Sequence, residues 1–186
     1  MLVFHKAAFY HPLCFFCISM TCCKSQHSRE NNLEINGIPE NKSENLVSVT
    51  KQVGAVVSVP LKDSDIITCV RVRKMDGNSK RPRAIIVKLP STRLRDEVLA
   101  AVSKFNKSNP TEKLHSGHLG YGGTKSSIFI SEHLSPYYKS LHAQTRQVAR
   151  EKQYRFVWIR NGRIFVRKND TSPAKQTKCQ ESLQNM

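Results

Sequence analysis

Acidic residues are scarce in this chain, and their scarcity sets the first boundary on its partners. Only 14 Asp+Glu stand against 30 Lys+Arg, a formal charge of +16 over 186 residues. Such an excess suits a polyanion or an acidic membrane surface, and nucleic acid is the commoner explanation. A long apolar run is missing too. Residues 7–20 are apolar apart from His11 and Ser19, but Pro12 interrupts them and they fall short of the ~20 residues that a bilayer-crossing helix needs. With Lys6 the only lysine or arginine before it and no small-x-small cleavage site after it, this segment is a poor secretory signal. The six cysteines give no even disulfide framework: four bunch at Cys14, Cys17, Cys22 and Cys23, while Cys69 and Cys179 stand alone. The body of the chain therefore reads as intracellular and reduced, and a nucleic-acid partner would place it in the nucleus or in cytoplasmic ribonucleoprotein particles. Catalytic groupings are absent at usable spacing: Asp63 and Asp65 flank a strand start and Asp96-Glu97 sits on a helix surface, so neither an enzyme nor a cofactor is expected.

What is present is concentrated in residues 154–168, Y-R-F-V-W-I-R-N-G-R-I-F-V-R-K. Two runs of β-branched and aromatic residues flank Asn161-Gly162, a pair suited to a type I′ turn, in which both central residues take positive φ. A two-residue turn fixes the register, pairing Arg160 with Arg163, Trp158 with Phe165 and Phe156 with Arg167. One face then carries Val157, Ile159, Ile164 and Val166, as a face packed on a helix would. The other carries Tyr154, Phe156, Trp158 and Phe165 among Arg160, Arg163 and Arg167. Rings on which unpaired bases can stack, interleaved with guanidinium groups, suit single-stranded nucleic acid. The alternative is a hairpin covered on both sides, with the arginines only solvating its edges.

Upstream, residues 1–30 are an unstructured or atypical segment. The set Cys14, Cys17, Cys22 and His27 has the intervals of a zinc knuckle with its last two ligand types exchanged, but Phe15-Phe16 and Ile18 inside the loops and the lack of glycine weigh against a metal site. From residue 31 a strand (32–38), a helix from residue 43 or 44 to Val53 stopped by Gly54, two strands (66–74 and 83–89) and a helix capped by Ser91 (91–104) follow in order. Together they predict an α+β domain over 31–106 that opens a ferredoxin-like βαββαβ module. The first and third of these strands hold no aromatic residue, so binding there is expected to be electrostatic, through Arg71, Arg73, Lys74, Lys80, Arg81 and Arg83, unless these only solvate a loop.

A polar, glycine-rich linker spans 107–127. Its Gly117-x4-Gly122 has Gly123 where a phosphate-binding loop needs lysine, and its His115 and His118 have no third metal ligand nearby in sequence. Residues 128–130 are a short strand that either completes the first sheet or opens the second module, taken as 128–168. Ser135 caps a helix with Pro136 at its first position, running to about Lys152. Leu134, Tyr138, Leu141, Thr145 and Val148 form its inward stripe, and Lys139, His142, Arg146 and Arg150 form a basic ridge beside it. The tail, 169–186, is polar and unpatterned and is expected to be disordered.

Residues 130–136, I-S-E-H-L-S-P, the basic helix and W-I-R-N-G-R-I-F-V-R-K at 158–168 resemble the C-terminal domain of the baculovirus few-polyhedra (FP) protein. That domain is similar to the C-terminal part of first-open-reading-frame proteins of insect LINE-type retrotransposons, and N-L-E-I-N-G-I-P-E at 32–40 resembles the start of the RNA-recognition-like (RRM-like) domain in such proteins. The family usually carries a coiled coil before that strand. Residues 1–28 show no heptads, so its trimerisation does not carry over, and a truncated or degenerate element copy is implied. The resemblance implies a non-catalytic nucleic-acid-binding protein. Arg155, Arg160, Arg163, Arg167, Lys168, Lys139, Arg146 and Arg150 would meet phosphates, and Trp158, Phe156 or Tyr154 would stack bases. Its partner would be single-stranded RNA ahead of DNA, with self-association as a second contact and no membrane. The competing expectation is a structural module whose aromatic face mediates assembly.

Overall fold

The computed structural model describes residues 26–74, 78–184 and 186. The chain is mixed α and β, with two antiparallel sheets. Strand β1 (Asn32–Asn36), helix α1 (Leu46–Val56), strands β2 (Thr68–Arg71) and β3 (Ile85–Lys88), helix α2 (Thr92–Ser108) and strand β4 (Phe129–Glu132) make the first module, in the spatial order β2-β3-β1-β4. Every neighbouring pair is antiparallel. Alternation in the strands turns Leu33, Ile35, Ile85 and Val87 to one face, where they bury against Val49 and Val53 of α1 and Val98 and Val102 of α2.

Asn45, beyond the start expected at residue 43 or 44, caps α1 by accepting from Val47 and Ser48 N–H. Gly54 does not end that helix. It is buried inside it, because a Cβ there would lie 2.5 Å from the carbonyl oxygen of Val59, where the chain turns back across the helix. The glycine-rich connection is likewise no bare linker: Leu114 and Leu119 enter the first core, around a 3-10 turn at Ser116–Leu119. Of the two placements open to the fourth strand, the structure takes the first sheet, pairing Leu33 with Glu132 and Asn36 with Phe129.

Helix α3 (Pro136–Glu151), strands β5 (Phe156–Arg160), β6 (Arg163–Arg167) and β7 (Lys175–Thr177), and a final turn of helix α4 (Glu181–Gln184) make the second module. Ser135 accepts from Tyr138 N–H at the start of α3, with Pro136 next, as the sequence indicates. The hairpin register is the one read from the turn, and Asn161 and Gly162 both take positive φ, +52° and +68°. Leu141 of α3, Ile164 and Leu183 form the second core, with Tyr138, Val148 and Ile159 around it.

The tail is not disordered, contrary to the expectation from its polarity. Residues 175–177 pair with 164–166, so β6 becomes the central strand of three. Pairing runs through backbone groups, which polar side chains do not obstruct, and only Thr177 and Leu183 need turn inward. Lys152 then donates to the carbonyl oxygens of Leu183 (3.4 Å), Gln184 (3.2 Å) and Met186 (2.9 Å), fixing the last turn.

Candidate nucleic-acid interface

Central position in the sheet explains the burial of the aliphatic face. Ile164 and Val166 of β6 are fully buried, whereas Val157 and Ile159 on the edge strand β5 are half-buried. Helix α3 covers this side, so Phe156, Trp158 and Phe165 face the opposite way. All three rings are partly exposed. Trp158 and Phe165 lie side by side with planes 17° apart and centroids 5.6 Å apart, an offset stack across the strand pair. The Arg155 guanidinium sits 5.1 Å from the centre of the Phe156 ring. A surface cavity of about 490 Å³ opens here, lined by Arg155, Phe156, Val157, Trp158, Arg167 and Asp170.

The cations expected at this face divide into two kinds. Arg155, Arg160, Arg163 and Lys168 are exposed. Arg167 instead donates to the carbonyl oxygens of Ser172 (2.8 Å) and Asp170, so it holds the turn after β6. Arg155 pairs with Asp170. Tyr154 is half-buried at the end of α3, its N–H donating to Ala149 (2.7 Å).

The basic ridge of α3 belongs to the helix layer, on the other side of the sheet from the rings. Within it, Lys139 pairs with buried Glu34 of β1 at 2.8 Å and so ties the helix to the first module. His142 is half-buried, and burial, then the charge of Arg146, lowers its pKa. Arg146 and Arg150 remain exposed.

Sequence reading missed what holds the hairpin tip. The turn is docked on the first module: the buried carboxylate of Glu132, the last residue of β4, accepts Asn161 N–H (3.0 Å) and Gly162 N–H (2.6 Å). Arg95 of α2, fully buried, donates to Asn161 Oδ1 (2.7 Å) and Asp96 Oδ1 (2.5 Å) and lies 3.6 Å from Glu132. Buried Gln26 packs on Gly162, where a Cβ would fall 2.8 Å from its Cγ, while accepting Ser135 N–H and donating to the His133 carbonyl. An arginine in the apolar stripe of α2 and a glutamate ending a strand were the available signals.

His133, beside this junction, is held neutral: burial first, then the charge of Arg29, lowers its pKa to about 4. Both ring nitrogens face donors, Nε2 the Arg29 guanidinium (3.4 Å) and Nδ1 the Asn32 side-chain NH2 (3.2 Å), so the neutral ring can accept from only one of them and a second ring proton would have no acceptor.

The basic loop of the first module is largely spoken for. Arg71 donates to Glu44 (2.7 Å) and to the carbonyl oxygens of Ile38 (3.2 Å), Pro39 (2.9 Å) and Arg83 (2.6 Å), and Arg83 pairs with Glu40 at 2.8 Å. Lys74 donates to the Ser79 carbonyl, while Arg73, Lys80 and Arg81 stay exposed. Phe129 adds an aromatic ring, 67% exposed, to the open sheet face.

Three candidate metal ligands, Cys14, Cys17 and Cys22, lie outside the described residues, and His27 is exposed and pairs with Glu30 at 2.9 Å. His115 and His118 do have a third neighbour, Glu112, with ligand atoms all within 4.8 Å of one another. Yet each ring accepts a backbone N–H at Nδ1, His115 from Gly117 (3.0 Å) and His118 from His115 (3.2 Å). A metal-bound imidazole keeps its proton on the nitrogen away from the metal and donates it outward, which these rings cannot do. Glu112 pairs with Lys125 and His115, which hold its pKa down to about 2, and His115 and His118 cap the 3-10 turn.

Residues 135–186 match the family described as Baculovirus FP protein domain 2. That span begins at the α3 cap and includes β7 and α4, the module boundaries seen in the structure. No curated protein matches the chain. Among the described residues no helix is long and apolar enough to cross a membrane.

Proposed function

With that FP-type second module as premise, we propose that the chain is a non-catalytic binder of single-stranded nucleic acid, RNA ahead of DNA, derived from a retrotransposon. The observation that carries it is the outer face of β5 and β6: partly exposed Phe156, Trp158 and Phe165 set among exposed Arg160 and Arg163, with Arg155 over the Phe156 ring and exposed Lys168 just beyond the end of β6. Flat rings accept any base, and the guanidinium and ammonium groups meet the phosphates between them. Lys139, Arg146 and Arg150 extend the positive field from the helix layer. We read the first module as ferredoxin-like and RRM-like, a reading supported by its β1-α1-β2-β3-α2-β4 order and its β2-β3-β1-β4 sheet.

Counterion release supplies the test. If Arg155, Arg160, Arg163 and Lys168 each neutralise a phosphate, log affinity falls against log salt with a slope near −3, at about −0.7 per contact on single strands. Arg160→Ala with Arg163→Ala shallows that slope by about 1.4. Filter binding that shows no salt dependence overturns the proposal. A second reading, an assembly module, is favoured by one observation: among the described residues nothing pairs with the outer edge of β5. It prevails if Trp158→Ala breaks self-association while the arginine pair leaves RNA binding untouched.

A further inference from the structure

We infer that the cavity beside Trp158 is a guanine-reading subsite, with Asp170 and Arg155 as the residues that confer the preference; this rests on the nucleic-acid reading above. Asp170 is the feature that a phosphate-binding surface does not explain. It is the one carboxylate lining the cavity, among Arg155, Arg167 and two aromatic rings, where it would repel a backbone phosphate. Its side chain is 66% exposed and that of its ion-pair partner Arg155 is 65% exposed. Both can therefore accept new partners at small cost, since an ion pair so open to water is weakly held.

The edge chemistry selects the base. Along its Watson–Crick edge guanine presents an acceptor, O6, followed by two donors, N1–H and the exocyclic amine. A guanidinium beside a carboxylate presents donors followed by two acceptor oxygens, the complementary order, as cytosine does in a base pair. Uracil offers one donor between two acceptors, and adenine and cytosine place a ring acceptor next to their amine, so each sets a lone pair against the carboxylate. The base plane would be held by Trp158 or Phe156, which line the same cavity.

The turn that carries the acid is also fixed in place. Asn169 Oδ1 accepts Ser172 N–H (2.7 Å), Ser172 Oγ accepts Asn169 N–H (3.0 Å), and Arg167 binds the carbonyl oxygens of Asp170 and Ser172. Arg167 is thus a positioning residue for Asp170.

The test uses the full chain and short uridine oligomers carrying one central guanosine, inosine, adenosine or cytidine, read by Trp158 fluorescence. Guanosine should bind about tenfold tighter than uridine, the scale of one bidentate base contact. Inosine, which lacks the exocyclic amine, should fall between. Asp170→Asn should bind the all-uridine oligomer at least as tightly as wild type, since a phosphate-repelling charge is gone, and lose the guanosine preference. Deoxyguanosine in a DNA oligomer should show the same preference, because the reading is of the base and not the sugar. Equal affinity for all the oligomers, or a preference that survives Asp170→Asn, overturns the subsite while leaving salt-dependent binding standing. Failure of every oligomer to bind overturns both.

Discussion

Replacing Glu132 by alanine should loosen the hairpin from the first module, and the cost can be worked from its partners. The substitution removes the acceptor of Gly162 N–H, whose residue is buried, and of Asn161 N–H, whose residue is exposed. Orphaning the buried N–H costs about 1–3 kcal/mol, and the exposed one less because water can replace the carboxylate. Arg95 keeps Asp96 and Asn161 but loses the buried carboxylate 3.6 Å away. Breaking such a buried pair from one side adds to the loss, and the total should reach about 3–5 kcal/mol. That is a large share of the roughly 5–15 kcal/mol available to a domain. Glu132→Gln keeps one acceptor and should cost less than half as much. The assay is urea unfolding followed by far-ultraviolet circular dichroism and by fluorescence of Trp158, the single tryptophan, which reports on the hairpin. In Glu132→Ala the fluorescence transition should come at lower urea than the loss of helix. Stability within about 0.5 kcal/mol of wild type would refute the idea that this carboxylate anchors the turn.

Acid should weaken the fold before most carboxylates titrate. His133 has its folded pKa lowered to about 4 from 6.5, and that of His142 is lowered too, so the unfolded chain binds these protons first. The stability they contribute is full above pH 6.5 and is lost as pH falls toward 4. Unfolding midpoints measured across that window should fall, and His133→Gln should flatten the decline; an unchanged slope would count against it. The ordered tail predicts that Leu183→Ala destabilises the second module by about 2–3 kcal/mol, at the low end for a buried leucine. Fluorescence-detected unfolding indistinguishable from wild type would return 175–184 to the class of dispensable tails.

Local patterns made most of the elements legible. Asn161-Gly162 between two β-branched and aromatic runs specified turn type, register and the division of faces, because all three follow from backbone geometry within a few residues. Ser135-Pro136 and Ser91 marked helix starts for the same reason. Three things were not legible. Strand β7 has no alternation of its own, since a short edge strand is recruited through backbone hydrogen bonds. Gly54 read as a stop because only the returning chain at Val59 shows why a side chain is excluded there. Arg167 read as a phosphate contact, yet the turn at 169–172 brings two carbonyl oxygens to its guanidinium.

The sequence by itself determined the two faces of the hairpin, its positive charge and the helix that covers its aliphatic side, because each is encoded in residue spacing. Only the tertiary structure decided that the hairpin tip is an anchor. Glu132, Arg95, Gln26 and Asn161 are far apart in the chain, and nothing in their local patterns says that they meet. They meet because a buried guanidinium and a buried carboxylate each need partners, and the unpaired N–H groups of a type I′ turn are within reach.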